Sequence, residues 1–147
     1  VRLPAIRDRA PRVAAGLRTV TRVDDEPRVG LAAELDAPVG RMTIATAHLS
    51  YLPGWNVVQL RRLVRRVRRR FLPPYVLLGD LNLPGAWPAR ATGWRPLVHG
   101  RTFPAQHPTV QLDHALGRGA LPAVTNAEVR LLPISDHRAV VVDLADH

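Results

Sequence analysis

The chain has 147 residues, 46% hydrophobic and 22% charged, which fits one globular domain able to bury a core. Its net charge of +9 favours anionic partners only weakly, because all 21 basic residues are arginine, the mark of a GC-rich coding bias. Zero cysteines exclude disulfide frameworks and thiolate zinc sites, and no apolar stretch has the length of a membrane span or the form of a signal peptide. Oxygen and imidazole ligands remain, and these suit hard cations such as magnesium or manganese. A cytoplasmic monomer is the default expectation.

Residues 1–27 are rich in Arg and Pro and read as an irregular leading segment of the single domain, with one short strand near 17–23. Residues 29–35 and 41–49 form a strand pair joined by Asp36-Ala37-Pro38-Val39-Gly40, whose Pro and Gly mark the turn. The spacing of Leu60, Leu63, Val64, Val67 and Phe71 predicts a helix over 57–71, stopped by Pro73-Pro74. Arginines 61, 62, 65, 66 and 68–70 cover its remaining surface, either as a solvated face with snorkelling stems or as a contact for nucleic acid or membrane. The run 75–78 is fully apolar, as in a strand buried on both faces.

Residues 83–109 read as a long, Pro-rich excursion over the surface. Trp87, Trp94 and Phe103 within it suit base stacking, a lipid interface or simple anchoring of the loop. The last strands are expected at 109–116, 128–132 and 138–144. One helix among many strands argues for a mixed α/β layered sheet.

Three acidic motifs fall at the ends of these apolar runs. In Gly79-Asp80-Leu81-Asn82 the glycine permits a sharp turn, and Asp80 and Asn82 can point the same way off the strand end. A carboxylate beside an amide can orient a water and bond a phosphate oxygen; the plainer account is a turn using both for local hydrogen bonds. In Ser135-Asp136-His137, a carboxylate beside an imidazole suits metal ligation by Asp136 and proton transfer by His137. Asp113 lies mid-strand, where a charge is costly unless paired, so a dyad with His137 would explain both residues. An arginine partner is the alternative. His114 points away from Asp113 on a strand and reads as structural. His48, after Ala47 at a strand end, can bind a phosphate oxygen, protonate a leaving group or serve structure alone. His99, His107 and His147 carry no assignment.

The strings "AHLS", "LLGDLNLP", "TFPA…QLDHAL" and "ISDHRAVVVDL", in this order, resemble the endonuclease/exonuclease/phosphatase (DNase I-like) family from about Arg28 to Leu144. The resemblance implies a four-layered α/β sandwich of two mixed, largely antiparallel sheets between helices, with the site at one rim. It also implies hydrolysis of a phosphoester by in-line attack of water, assisted by magnesium, with manganese possible. On it, His137 is the catalytic histidine, Asp113 its acidic partner, and Asp80 and Asn82 the pair that positions water and phosphate near the metal. Asp136 is the aspartate beside the metal, and His48 touches phosphate. Family members have Thr where this chain has Ala47. They also carry an early Asn strand and a Gln-Glu motif whose Glu binds the metal; neither occurs before His48. The acidic run Asp24-Asp25-Glu26 reads as a surface turn. The chain is therefore expected to hold the C-terminal portion of the fold, in keeping with a first residue of Val.

Three readings of function follow. The first is a metal-dependent phosphoesterase acting on nucleic acid, phosphoinositide or phospholipid. The second is a catalytically incomplete portion without the metal-binding Glu. The third is a basic nucleic-acid-binding module using the arginine helix at 61–70, which the low aromatic content of 5% disfavours as a stacking platform.

Overall fold

The computed structural model describes residues 28–38 and 40–145; the expected strand near 17–23, the acidic run at 24–26 and His147 lie outside them. Strands β1 (Gly30–Ala37) and β2 (Gly40–Ala47) pair antiparallel across the expected Pro-Gly turn. Helix α1 (Trp55–Arg70) then crosses over to β3 (Tyr75–Asp80), which pairs parallel with β2. Helix α2 (Trp87–Thr92) and the two-residue strand β4 (Arg95–Pro96) precede β5 (Asp113–Arg118). β5 lies antiparallel between β3 and β4, giving the order β1-β2-β3-β5-β4. Strands β6 (Val124–Arg130) and β7 (Ala139–Leu144) form a separate antiparallel pair.

Strand alternation divides the core into two layers. Ala45, Ala47, Tyr75 and Leu77 face the helices, packing with Leu60, Leu63, Val64 and Val67 of α1. Met42, Val76 and Ala115 face the other way, with Val129, Val140, Val142 and Leu144 of the second sheet against them. The run 75–78 is apolar because β3 is sandwiched on both sides. Helices, a mixed five-stranded sheet and a second sheet are thus three layers of the expected sandwich.

Several boundaries moved. The helix starts at Trp55, two residues early, because Trp55 and Asn56 are themselves buried. β5 starts at Asp113 rather than at 109, because the Thr102 hydroxyl takes the backbone N–H groups of Leu112 (3.0 Å) and Asp113 (3.1 Å). Asp113 is therefore a strand-opening residue and not a mid-strand one. β6 starts at Val124, four residues before the expected 128. The stretch 83–109 is no mere surface excursion: it contains α2 and β4 and buries Trp94, Leu97, Val98, Thr102 and Ala105. Trp94 stacks on Tyr75 at 5.6 Å, so it anchors this stretch to the core, while Trp87 stays 55% exposed.

Candidate active site

The ladder brings the acidic motifs together. β2 and β3 run parallel, so both end at one edge of the sheet, and β5, running the other way, begins there. Asp80 closes β3 and is the register partner of Asp113, which opens β5. His48 follows β2 directly, and His137 lies two residues ahead of β7. Asp80, Asp113 and His137 offer ligand atoms within 4.8 Å of one another and could hold a metal ion.

Backbone contacts fix the exits of β2 and β3. The Leu49 N–H donates to the Asp80 carbonyl at 2.9 Å, and Asn82 Nδ2 donates to the Leu49 carbonyl at 2.9 Å. Asn56 Nδ2, from the first turn of α1, donates to the Asn82 carbonyl at 2.7 Å. Asn82 itself has φ 49°, a left-handed conformation that Asn tolerates better than most residues. Gly79 has φ 138° and passes so close to Ala47 that a Cβ would sit 2.1 Å from the Ala47 carbonyl oxygen. That approach puts the residue after Ala47 beside the residue after Gly79.

Asp80 does two jobs. Its Oδ1 accepts the Asn82 N–H at 2.9 Å, the local turn bond that the motif permits. Its Oδ2 faces two imidazoles, with His48 Nε2 at 3.4 Å and His137 Nε2 at 3.9 Å. Burial pushes the Asp80 carboxyl upward; the neighbouring Asp113 charge adds to this, and the Asn82 N–H and both histidines oppose it without cancelling it.

His137 Nδ1 and Asp113 Oδ2 are 2.7 Å apart, the expected dyad. A salt bridge from Asp113 to arginine is not formed among the described residues. Burial pulls the imidazole downward, but the hydrogen bond to Asp113 and the charges of Asp113, Asp80 and Asp136 outweigh it and leave His137 raised. The ring also lies 4.7 Å from that of Phe103. Nδ1 is held, and Nε2 is turned toward Asp80.

Asp136 does not join the cluster. Its side chain is exposed beside Pro133, Ile134 and Ser135, and its carbonyl accepts the Ala105 N–H at 2.7 Å. His114 is structural as expected, buried with its Nε2 2.8 Å from the Leu83 carbonyl. His99 and His107 stay exposed.

One residue escaped the sequence reading. Thr102 is fully buried; its hydroxyl accepts the Asp113 N–H, and its carbonyl accepts the Arg138 N–H at 2.8 Å. It ties the strand start that carries Asp113 to the segment that carries His137. The only signal was its place in the Thr102-Phe103-Pro104 string, where a hydroxyl next to an aromatic has no evident chemistry.

No protein-family model and no curated protein matches the sequence, but solved structures do. A mannosyl-6-phosphatase from Bacteroides thetaiotaomicron VPI-5482 matches with TM-score 0.59 and 16% identity, over 81% of this chain and 57% of that one. An endonuclease/exonuclease/phosphatase family protein from the same species gives 0.59 and 15%, over 79% and 55%. The chain has the endonuclease/exonuclease/phosphatase fold. D. rerio TDP2 in complex with a single-strand DNA product shares this fold at TM-score 0.56 and 19% identity, over 78% of this chain and 60% of that one. The chain thus spans less than two thirds of each of these solved chains. Within the endonuclease/exonuclease/phosphatase fold, no helix among the described residues is long and apolar enough to cross a membrane.

Proposed function

We propose that the protein hydrolyses a phosphoester with metal assistance, His137 acting as general base and Asp113 as its orienting carboxylate. The observation that carries this reading is the 2.7 Å bond at Nδ1, which leaves Nε2 as the basic nitrogen beside Asp80. Nε2 takes a proton from water, the oxygen attacks phosphorus, and the bond to the leaving alkoxide oxygen breaks. His48, 60% exposed, reaches the same place from β2 and either binds a phosphoryl oxygen or returns a proton to the leaving group. Asn82 has its amide nitrogen committed to Leu49, so its Oδ1 is the atom it offers to water or a ligand.

A divalent cation fits the donors present. Two carboxylates paired across the ladder, one of them with its acidity suppressed by burial, gain from a positive charge between them. Because Asp113 is committed to the imidazole, Asp80, with the Asn82 amide oxygen two residues on, would hold magnesium or manganese. Bound there, the cation supplies Lewis-acid stabilisation of phosphoryl charge. The fold hosts a mannosyl-6-phosphatase and a protein holding a DNA product, so it points to a phosphoester and does not select the alcohol.

The test is turnover of bis(p-nitrophenyl) phosphate with and without magnesium. His137→Ala should lose roughly 10²–10⁴-fold, and Asp113→Asn should lose rate through the same group. Unchanged turnover in His137→Ala would overturn the mechanism. A second reading is favoured by the donor count, since Asp80 is the one carboxylate of the cluster not bonded to the imidazole. On it the chain is a catalytically incomplete portion of the fold that lacks a glutamate ligand. Calorimetry separates the two: millimolar or tighter magnesium affinity with turnover supports the first, and neither supports the second.

A further inference from the structure

A groove of about 480 Å³ lies between α1 and α2, lined by Arg61, Arg65, Arg68 and Arg69 on one side and by Ala91 and Thr92 on the other. Neither helix contains an acidic residue. Among the described residues no carboxylate pairs with these four arginines, while Glu34 and Asp36 are taken by Arg41 and Glu128 by Arg130. Arg61 and Arg65, and again Arg65 and Arg69, stand four apart on one face, a spacing at which like charges repel. The helix supplies no acidic side chain to offset this repulsion. Small Ala91 and Thr92 keep the facing wall low. The Arg61 Nε–H donates to the Ala91 carbonyl at 3.3 Å, which sets the spacing of the two helices at the head of the groove.

We infer that this groove binds the phosphodiester backbone of a nucleic-acid strand. Four guanidiniums aimed into one concavity match repeated phosphates, which arginine bonds in bidentate fashion. From Arg61 to Arg69 the helix rises about 12 Å, long enough to meet successive phosphates of one strand and longer than a single headgroup needs. A membrane surface is the poorer fit. An interfacial helix inserts an apolar face, and that of α1 (Leu60, Leu63, Val64, Val67) is spent in the core. The groove also leads somewhere. Asn56, bonded to the Asn82 carbonyl, puts the start of α1 at the carboxylate–histidine rim, with Arg61 about 8 Å and Arg69 about 20 Å further along the axis. This binding needs neither metal nor hydrolysis, so it stands apart from the phosphoesterase reading.

The experiment is fluorescence anisotropy with a labelled 12-nucleotide single strand in EDTA, across a salt series. The expected slope of log K against log salt is about −2 to −3, or about −0.7 per phosphate neutralised. Arg65→Gln/Arg69→Gln should weaken binding at least tenfold and flatten the slope by about 1.4. Arg130→Gln, on β6 outside the groove, should change binding less than twofold. Equal losses in the groove and β6 variants, or undiminished binding in the groove variant, would overturn the proposal. So would tighter binding to phosphatidylserine vesicles than to the strand with the same arginine dependence. These side chains are exposed, and matching far-UV circular dichroism confirms that the variants fold; Arg65→Lys/Arg69→Lys, retaining charge, should recover most of the affinity.

Discussion

Asp80 and Asp113 are register partners across the β3–β5 ladder, so two carboxylates leave adjacent strands at the same level of the rim. Neither has an arginine beside it among the described residues, in a chain of 21 arginines. Imidazoles take that place instead.

One consequence concerns stability. The folded-state pKa of Asp80 is raised above its ordinary 3.8, so its contribution to stability is fully present below that pH and is lost as pH rises through the raised value. Asp80→Asn removes the buried charge while keeping an oxygen for the Asn82 N–H. It should raise the metal-free melting temperature at pH 7 by roughly 3–5 °C, or about 1 kcal/mol, with the gain vanishing below pH 4. Magnesium should raise the melting temperature of the parent and not of the variant. A variant that melts below its parent at pH 7 would show that the Asn82 N–H and the two imidazoles more than offset the burial of the Asp80 charge, and would overturn this prediction.

His137 moves the opposite way in charge. Its raised pKa favours the imidazolium, so the stability it lends is complete below its ordinary 6.5 and is lost as pH rises through the folded value. A base must be neutral, and activity should therefore climb with pH through that same titration. Proton NMR of the imidazole ring should place its titration above 6.5 in the parent and lower in Asp113→Asn. A titration insensitive to Asp113 would break the dyad.

Thr102 offers a sharper separation of structure from chemistry. Thr102→Val keeps shape but leaves the part-buried Leu112 and Asp113 N–H groups without their acceptor, at up to about 1–3 kcal/mol for each donor. Urea unfolding should show a loss of about 2 kcal/mol or more, and the His137 titration should shift toward that of Asp113→Asn. Thr102→Ser, which restores the hydroxyl, should return both readouts. A stability loss with an unmoved His137 titration would make Thr102 a packing residue only.

Gly79 should tolerate no side chain. Gly79→Ala drives a Cβ into the Ala47 carbonyl in addition to the strain of φ 138°, and should cost more than about 3 kcal/mol. Gly85→Ala, at φ 54° with nothing within 4 Å, should cost only about 1–2 kcal/mol. Equal chemical-denaturation midpoints for the two variants would contradict the close approach of β3 to the end of β2.

Much was legible in the chain itself, because it is written in local patterns. The apolar stripe from Leu60 to Val67 specified a helix by its period, and the Pro-Gly turn at 38–40 specified the first hairpin. The dyad of Asp113 and His137 was legible because a carboxylate at a strand and an imidazole at a strand mouth each lack an inexpensive solution alone. Other features depend on residues far apart in sequence, and no local period reports them. The start of β5 is one: residues 109–112 look strand-like, but the Phe103 carbonyl takes the N–H groups of Thr109 and Val110, and the Thr102 hydroxyl takes that of Leu112. The role of Asp80 is another. Its motif reads equally as a turn or a ligand; the structure forms the turn bond and also sets Asp80 Oδ2 before two imidazoles, because β3 is flanked by the end of β2 and the start of β5. Asp136 shows the reverse, a plausible ligand in the sequence whose side chain is exposed outside the cluster. Residue type and spacing determined which groups were available for chemistry. Strand order and register decided which of them meet, since a one-residue slip of β5 would turn Asp113 to the other face of the sheet.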